Sequence, residues 1–386
     1  MKAKPTGDKT ASATFSRRLP HEMRPNALTE LLRSKRQSGA RILDLTESNP
    51  THAGIEYPDG FLHSLAAEEA VRYEPEPFGL LSARETIARE YGAAPGEFTG
   101  ADRVVMTAST SEAYSWLFKL LCDPGDEVLV PRPSYPLFDY LAALESATVR
   151  HYGLFYDRPG WFIDFHTIER AINDRTRAIV LVNPNNPTGH FLQRHELAQL
   201  TAFGLPIISD EVFRDYQLRL APESVLSLQD VSETLVFTLN GLSKTVGLPQ
   251  MKLAWMIANG PPDQVREALA RLEIIADTYL SAGTPVQCAL PALLELRGPV
   301  QRQIIDRLRG NLEILRASGL RMLDVEAGWY AVVAREEGAE IRLLRDHDVL
   351  VQPGYFYDFE SPGYIVISLL TPTDVFREGI GRLQSC

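Results

Sequence analysis

RAIVLVNPNNPTG (177–189), LPIISDE (205–211) and ETLVFTLNGLSKTVG (233–247) share one design, a short and nearly continuous apolar run that gives way at once to polar residues. Unbroken apolar runs, unlike alternating ones, are what strands covered on both faces look like, and such strands belong to parallel sheets flanked by helices. The polar residues closing each run bear on function, because ligands of open α/β sheets bind beyond the carboxyl ends of the strands.

The same rhythm extends upstream. ARETIAREYG (83–92) reads as a helix, RVVMTA (103–108) as a strand, SEAYSWLFKLLC (111–122) as a helix, EVLVPRP (127–133) as a strand and PLFDYLAALES (136–146) as a helix. Alternation of this kind predicts a parallel sheet with helical crossovers. Earlier still, PNALTELLRSKRQSG (25–39) has leucines at helical spacing and a closing glycine, and ILDLTESNP (42–50) reads as a short strand running into a turn. Downstream, a helix from Pro261 to about Asp277 bridges to an amphipathic helix at 301–319. Two strand-like runs, GWYAVVA (328–334) and YIVISLL (364–370), follow with a helical stretch between them, and VFREGIGRL (375–383) closes the chain. That second region reads as α+β. No internal repeat and no low-complexity segment interrupts the pattern.

With 386 residues the chain exceeds one ordinary core, so a large and a smaller domain with a cleft between them are expected. The expected division is a flexible arm at 1–20, an N-terminal segment at 21–50 packing with the small domain, a large domain at 51–280 and a small domain at 281–386. The formal charge of −11 disfavours a nucleic-acid surface. Three cysteines, Cys122, Cys288 and Cys386, have no metal-ligand spacing, so no metal site is expected and a reducing cytoplasm is the simplest compartment. The polar start lacks the apolar core of a signal peptide, and no stretch has the length of a membrane span.

Taken singly, each strand end has an ordinary explanation: Pro-Thr-Gly is a common turn, an acid after a strand caps a helix, and a lysine is usually a solvated surface group. Together and in this order, NPNNPTG, SDE and NGLSKTVG resemble the fold-type I pyridoxal-phosphate enzymes, specifically the class I/II aminotransferases, from about Leu45 to the C-terminus. The resemblance implies the fold-type I α/β architecture, a large domain with a mainly parallel sheet plus a smaller α+β domain. It also implies pyridoxal 5'-phosphate as cofactor, with Lys244 of SKTVGLP as the Schiff-base lysine and Asp210 as the partner of the pyridine nitrogen. Asn186 would donate to the ring's phenolic oxygen and Tyr135 of RPSYPLF would stack on the ring. Ser109, Thr110 and Ser111 of MTASTSEAY would form the phosphate loop at a helix N-terminus, an anion site by geometry and dipole. Ser243 and Lys252 would add to the phosphate site. Tyr73 would reach the phosphate of a neighbouring subunit in a homodimer, and Asn49 and Tyr330 would face the substrate.

Four positions depart from the family pattern. Phe213 stands where a tyrosine commonly donates to the phenolic oxygen, Lys252 replaces an arginine, and Gly241 replaces a phosphate-binding serine. Val366, two residues before Ser368, replaces the arginine that clamps the substrate α-carboxylate. Arg335, Arg342 and Arg345 are the nearest substitutes in sequence; otherwise the substrate lacks that carboxylate. The activity implied is amino-group transfer between an amino donor and a 2-oxo acid or other carbonyl acceptor. The alternative is a lyase, decarboxylase or C–C bond-forming enzyme on the same scaffold, since fold alone does not decide chemistry. A regulatory module joined to a DNA-binding domain fits poorly, because the residues before 45 offer one helix and no helix-turn-helix.

Overall fold

The computed structural model describes residues 15–20, 24–91, 100–158 and 160–385. Most of the expected arm, residues 1–14, lies outside them; of its remainder, Arg18 donates 2.9 Å to the Leu144 carbonyl.

The chain opens with α1 (Ala27–Gln37), capped by the Asn26 side chain on the Thr29 amide, and β1 (Leu43–Asp44). After two short 3₁₀ turns come α2 (Leu81–Tyr91), β2 (Val104–Thr107), α3 (Thr110–Leu121), β3 (Glu127–Arg132) and α4 (Phe138–Leu144). Next are β4 (Thr148–Asp157), β5 (Gly160–Ile163), α5 (Phe165–Ala171), β6 (Thr176–Val182), α6 (Arg194–Ala202) and β7 (Ile207–Asp210). The central part ends with β8 (Val236–Gly241), α7 (Leu242–Thr245), β9 (Ala254–Asn259) and α8 (Pro262–Tyr279). Two helices, α9 (Thr284–Glu295) and α10 (Arg297–Ala317), lead to β10 (Tyr330–Ala334), α11 (Ala339–His347), β11 (Val349–Leu350), β12 (Gln352–Pro353), β13 (Tyr364–Ser368) and α12 (Thr373–Gln384).

Eight strands form the central sheet in the order β2-β9-β8-β7-β6-β3-β4-β5. Pairing is parallel from β8 through β7, β6 and β3 to β4, while β9 and β5 run antiparallel to their neighbours. Every residue of β2, β7, β8 and β9 is buried, which is why these stretches read as unbroken apolar runs. Helices α3 and α8 cover one face, where Trp116, Leu117 and Phe118 pack with Val265, Ala268 and Leu272.

The C-terminal region builds a second sheet, β10-β13-β12, antiparallel throughout. The N-terminal segment joins it: β1 pairs in parallel with β11, and Leu28 of α1 packs on Leu344 and Leu350. A buried ion triple ties the loop after β6 to the approach of β10. His190 lies 3.1 Å from Glu196 and 3.6 Å from Glu326. Burial alone would lower its pKa, but the two carboxylates outweigh that and lift it to about 9. Beside this triple, Gly189 takes φ +72°, and a Cβ there would meet the Ala327 carbonyl at 2.5 Å, so the two strand systems approach along a line only glycine permits.

Candidate active site

Five loops leave the carboxyl ends of β2, β3, β6, β7 and β8, and on or beside them sit Ser109, Thr110, Ser111, Tyr135, Asn186, Asp210, Phe213, Ser243 and Lys244. Asp210 is the last residue of β7 and is buried. The Val212 amide donates to its Oδ1 at 3.2 Å and the Tyr114 hydroxyl to its Oδ2 at 3.2 Å. Burial lifts its pKa to about 6, because desolvation outweighs those two donors. The acid is therefore ionised at neutral pH.

Lys244 lies in the single turn of α7, with Nζ 4.5 Å from the centroid of Trp329 and 5.4 Å from that of Phe213. Burial against these rings lowers its pKa to about 8, a shift that the nearby Asp210 partly opposes. Phe213 thus builds the apolar wall beneath the amine: it meets Trp329 edge-on at 5.4 Å and Tyr330 at 6.2 Å. The backbone of Lys244 is also held, since the Tyr216 hydroxyl donates to its carbonyl.

Asn186 is buried in the loop after β6, and its Oδ1 has no hydrogen-bond partner among the described residues. The loop is fixed by its neighbour Asn185, which donates to the Pro133 carbonyl and to Thr188 and accepts from Ser134. Tyr135, just after β3, hydrogen-bonds Ser111 and lies within the electrostatic reach of Asp210 and Tyr330. At the start of α3 the Ser109 hydroxyl is committed as N-cap, accepting from the Glu112 amide at 3.1 Å, while Glu112 reaches back to the Ala108 amide at 2.7 Å. Ser109 therefore works here as a cap. The Thr110 and Ser111 amides, at the first two positions of α3, have no acceptor among the described residues.

The remaining expected residues are less engaged or come from other parts of the chain. Lys252 is exposed with φ +49°, and neither it nor Ser243 makes a side-chain hydrogen bond among the described residues. Tyr73 is 78% exposed. Asn49 is held in an Asx turn: its Oδ1 accepts from the Thr51 amide and hydroxyl, which leaves Nδ2 as a free donor. Tyr330 hydrogen-bonds Ser48, and burial raises its pKa.

The arginines expected to replace the missing carboxylate clamp are engaged elsewhere. Val366 is 1% exposed and pairs with Val332 inside the small sheet. Arg335 follows β10 at the end remote from Tyr330, about 16 Å away at roughly 3.3 Å per residue, and donates to the Leu383 carbonyl. Arg342 pairs with Glu336 at 3.3 Å and Arg345 with Asp346 at 2.9 Å, both on the exposed side of α11. Gly241 also has a structural reason. A Cβ there would lie 2.8 Å from the Ala254 Cβ, so the family's serine has no room beside β9.

Sequence patterns did not single out Tyr114, Tyr216 or Trp329, which support Asp210 and Lys244. Trp329 had one signal, its place beside Tyr330 in GWYAVVA.

An anion held on Asp210, a largely desolvated amine, an unpartnered buried amide and free amides at a helix start together fit a planar, phosphorylated, nitrogen-containing aldehyde. Comparison with known proteins agrees. The family model for aminotransferase class I and II matches residues 44–383. The glutamate–pyruvate aminotransferase AlaA of Haemophilus influenzae is 27% identical, over 90% of this chain and 91% of that protein. The alanine aminotransferase of Mycobacterium bovis is 31% identical over 89% of this chain and 85% of its own length. Among solved structures, an aminotransferase from Escherichia coli superposes with a TM-score of 0.83 at 25% identity, covering 97% of this chain and 98% of that one. The alanine aminotransferase of Pyrococcus furiosus gives 0.82 at 25% identity, with 93% and 96% covered.

Proposed function

The chain belongs to the class I and II aminotransferase family, and from that premise we propose that it moves an amino group between an α-amino acid and a 2-oxo acid, using pyridoxal 5'-phosphate carried on Lys244. The observation that carries this reading is the state of Lys244: an amine packed against Trp329 and Phe213, with a pKa lowered to about 8, in the single turn that follows β8, the strand paired with the one Asp210 ends. A lysine must lose its proton to react with a carbonyl, and this one does so near physiological pH.

When bound, the cofactor supplies an electron-accepting ring for the pair released at the substrate α-carbon. The protein's own residues do the rest. Asp210, ionised above about pH 6, holds a positive charge at the pyridine nitrogen. Asn186 donates to the phenolic oxygen, and Tyr135 covers the ring face. The Thr110 and Ser111 amides receive the phosphate at the positive end of α3. Lys244 takes the proton from the substrate α-carbon and returns it at the next stage. With Val366 in place of an arginine, the substrate carboxylate falls to neutral donors, Asn49 Nδ2 and the Tyr330 hydroxyl. The relatives reported above are all aminotransferases, and none favours the lyase reading.

The test is spectral and chemical. Purified protein should bind pyridoxal phosphate, and borohydride should fix it on the peptide containing Lys244. Lys244→Ala should fold but lose the bound-cofactor absorbance. Single-turnover reaction with a panel of amino acids and simple amines then identifies the donor. A label on another lysine removes Lys244 from this role, and reaction with amines alone removes the α-amino acid.

A further inference from the structure

Arg335 and Arg342, turned away from the catalytic cleft, meet again on the far side of the small sheet. With Arg321 they line a separate cavity of about 390 Å³, whose remaining walls are Ala334, Ala339, Leu343 and the carboxylate-bearing Glu336. From this arrangement we infer that the cavity is a binding site for a small, multiply charged oxyanion, a phosphorylated or polycarboxylate metabolite, distinct from the active site and independent of the function proposed above.

Three observations support it. Arg321 is exposed and has neither an ion pair nor a side-chain hydrogen bond among the described residues. Arg335, which lines the cavity, spends one Nη2 proton on the Leu383 carbonyl, and its buried Nε has no acceptor among the described residues. Arg342 donates to the Glu337 carbonyl at 3.0 Å and pairs with Glu336 at 3.3 Å; the Glu336 side chain is 90% exposed and can swing into water when a better acceptor arrives. Ala339, the first residue of α11, also lines the space; its amide donates to the Glu336 carbonyl at 3.1 Å, so the helix start adds its dipole rather than a free donor. Guanidinium groups favour planar or tetrahedral oxyanions that accept two hydrogen bonds at once, which selects phosphate and carboxylate over chloride. The volume falls in the usual range for small-ligand sites, about 300–1,000 Å³.

The experiment uses holoenzyme, so that the cofactor's own phosphate group already fills the catalytic anion site. Titration calorimetry with inorganic pyrophosphate and with citrate, at ionic strength matched by sodium chloride, should show saturable binding of at least one probe without change in the bound-cofactor spectrum. Arg321→Gln, on an exposed side chain whose loss leaves the fold intact, should weaken that binding by about tenfold, the worth of one charge-assisted hydrogen bond. Arg335→Lys should weaken it as well, because lysine keeps the charge but not the fork. The stronger probe shows whether a phosphoryl or a carboxylate ligand is the natural one. If neither probe binds, or if the Arg321→Gln protein binds both as wild type does, the inference is overturned.

Discussion

Burial lifts the Asp210 carboxyl from its ordinary 3.8 to about 6, so at neutral pH the fold holds an anion whose ionisation it opposes. The unfolded chain releases this proton near 3.8 and the folded chain near 6. The group's contribution to stability is therefore full below pH 3.8, declines as pH rises through that interval and is gone above about 6. Two units correspond to about 3 kcal/mol as an upper bound. Cofactor-free Asp210→Asn should consequently melt higher than cofactor-free wild type at pH 8, with the gap closing toward pH 4 in a series of thermal melts. The same variant, loaded with cofactor, should retain it and yet lose most of its kcat, on the order of several kcal/mol of transition-state stabilisation. Near-normal kcat would remove Asp210 from its proposed role. In the sequence, Lys244, Asp210 and Asn186 were picked out by the family resemblance of NPNNPTG, SDE and NGLSKTVG, which strand ends alone would not have singled out. Tyr114 and Trp329 were not, because their contribution arises where a helix and a remote strand approach the same two side chains.

Most elements were also legible. Continuous apolar runs mark buried strands, and the observed β6, β7 and β8 fall where those runs do. Direction was not legible: β9 is as buried as its neighbours, and nothing in LAWMIAN tells that it runs antiparallel between β2 and β8. Nor did the apolar pattern mark α9, whose Pro291 lies inside a helix that packs on α2 and the 3₁₀ turn at Phe61–Ala66. The consequence of β9 is local and measurable. It brings the Ala254 Cβ to 2.8 Å from where a side chain at Gly241 would begin, with the Leu253 carbonyl at 3.1 Å. Gly241→Ser, the residue common in the family, should therefore destabilise the protein by about 1–3 kcal/mol, the usual cost of overpacking a tight core. Adding Ala254→Gly should recover much of the lost melting temperature. A single Gly241→Ser variant as stable as wild type would show that the strand pair can open and that the serine was lost for another reason.

At the scale of the whole molecule the most exposed of the expected site residues is the informative one. Tyr73 is 78% exposed, near Val71 at 86%, on the surface segment before α2. An exposed valine and tyrosine two residues apart are apolar area that a second copy of the chain can cover. The family resemblance gives Tyr73 a task at the phosphate of a neighbouring subunit, which fits a side chain with no work in its own protomer. The expected assembly is a homodimer whose two sites each combine Lys244 from one chain with Tyr73 of the partner subunit. Light scattering should give twice the chain mass, and Tyr73→Phe should weaken cofactor retention in the homodimer. Mixing, after dissociation and reassociation, makes the arrangement testable beyond mass alone. Joining a Tyr73→Phe chain to a Lys244→Ala chain puts both defects in one site and leaves the other intact, so retention and turnover should reappear in mixed dimers although neither parent has a complete site. Sites built within single chains would show no such recovery, and an active monomer would end the composite-site reading altogether.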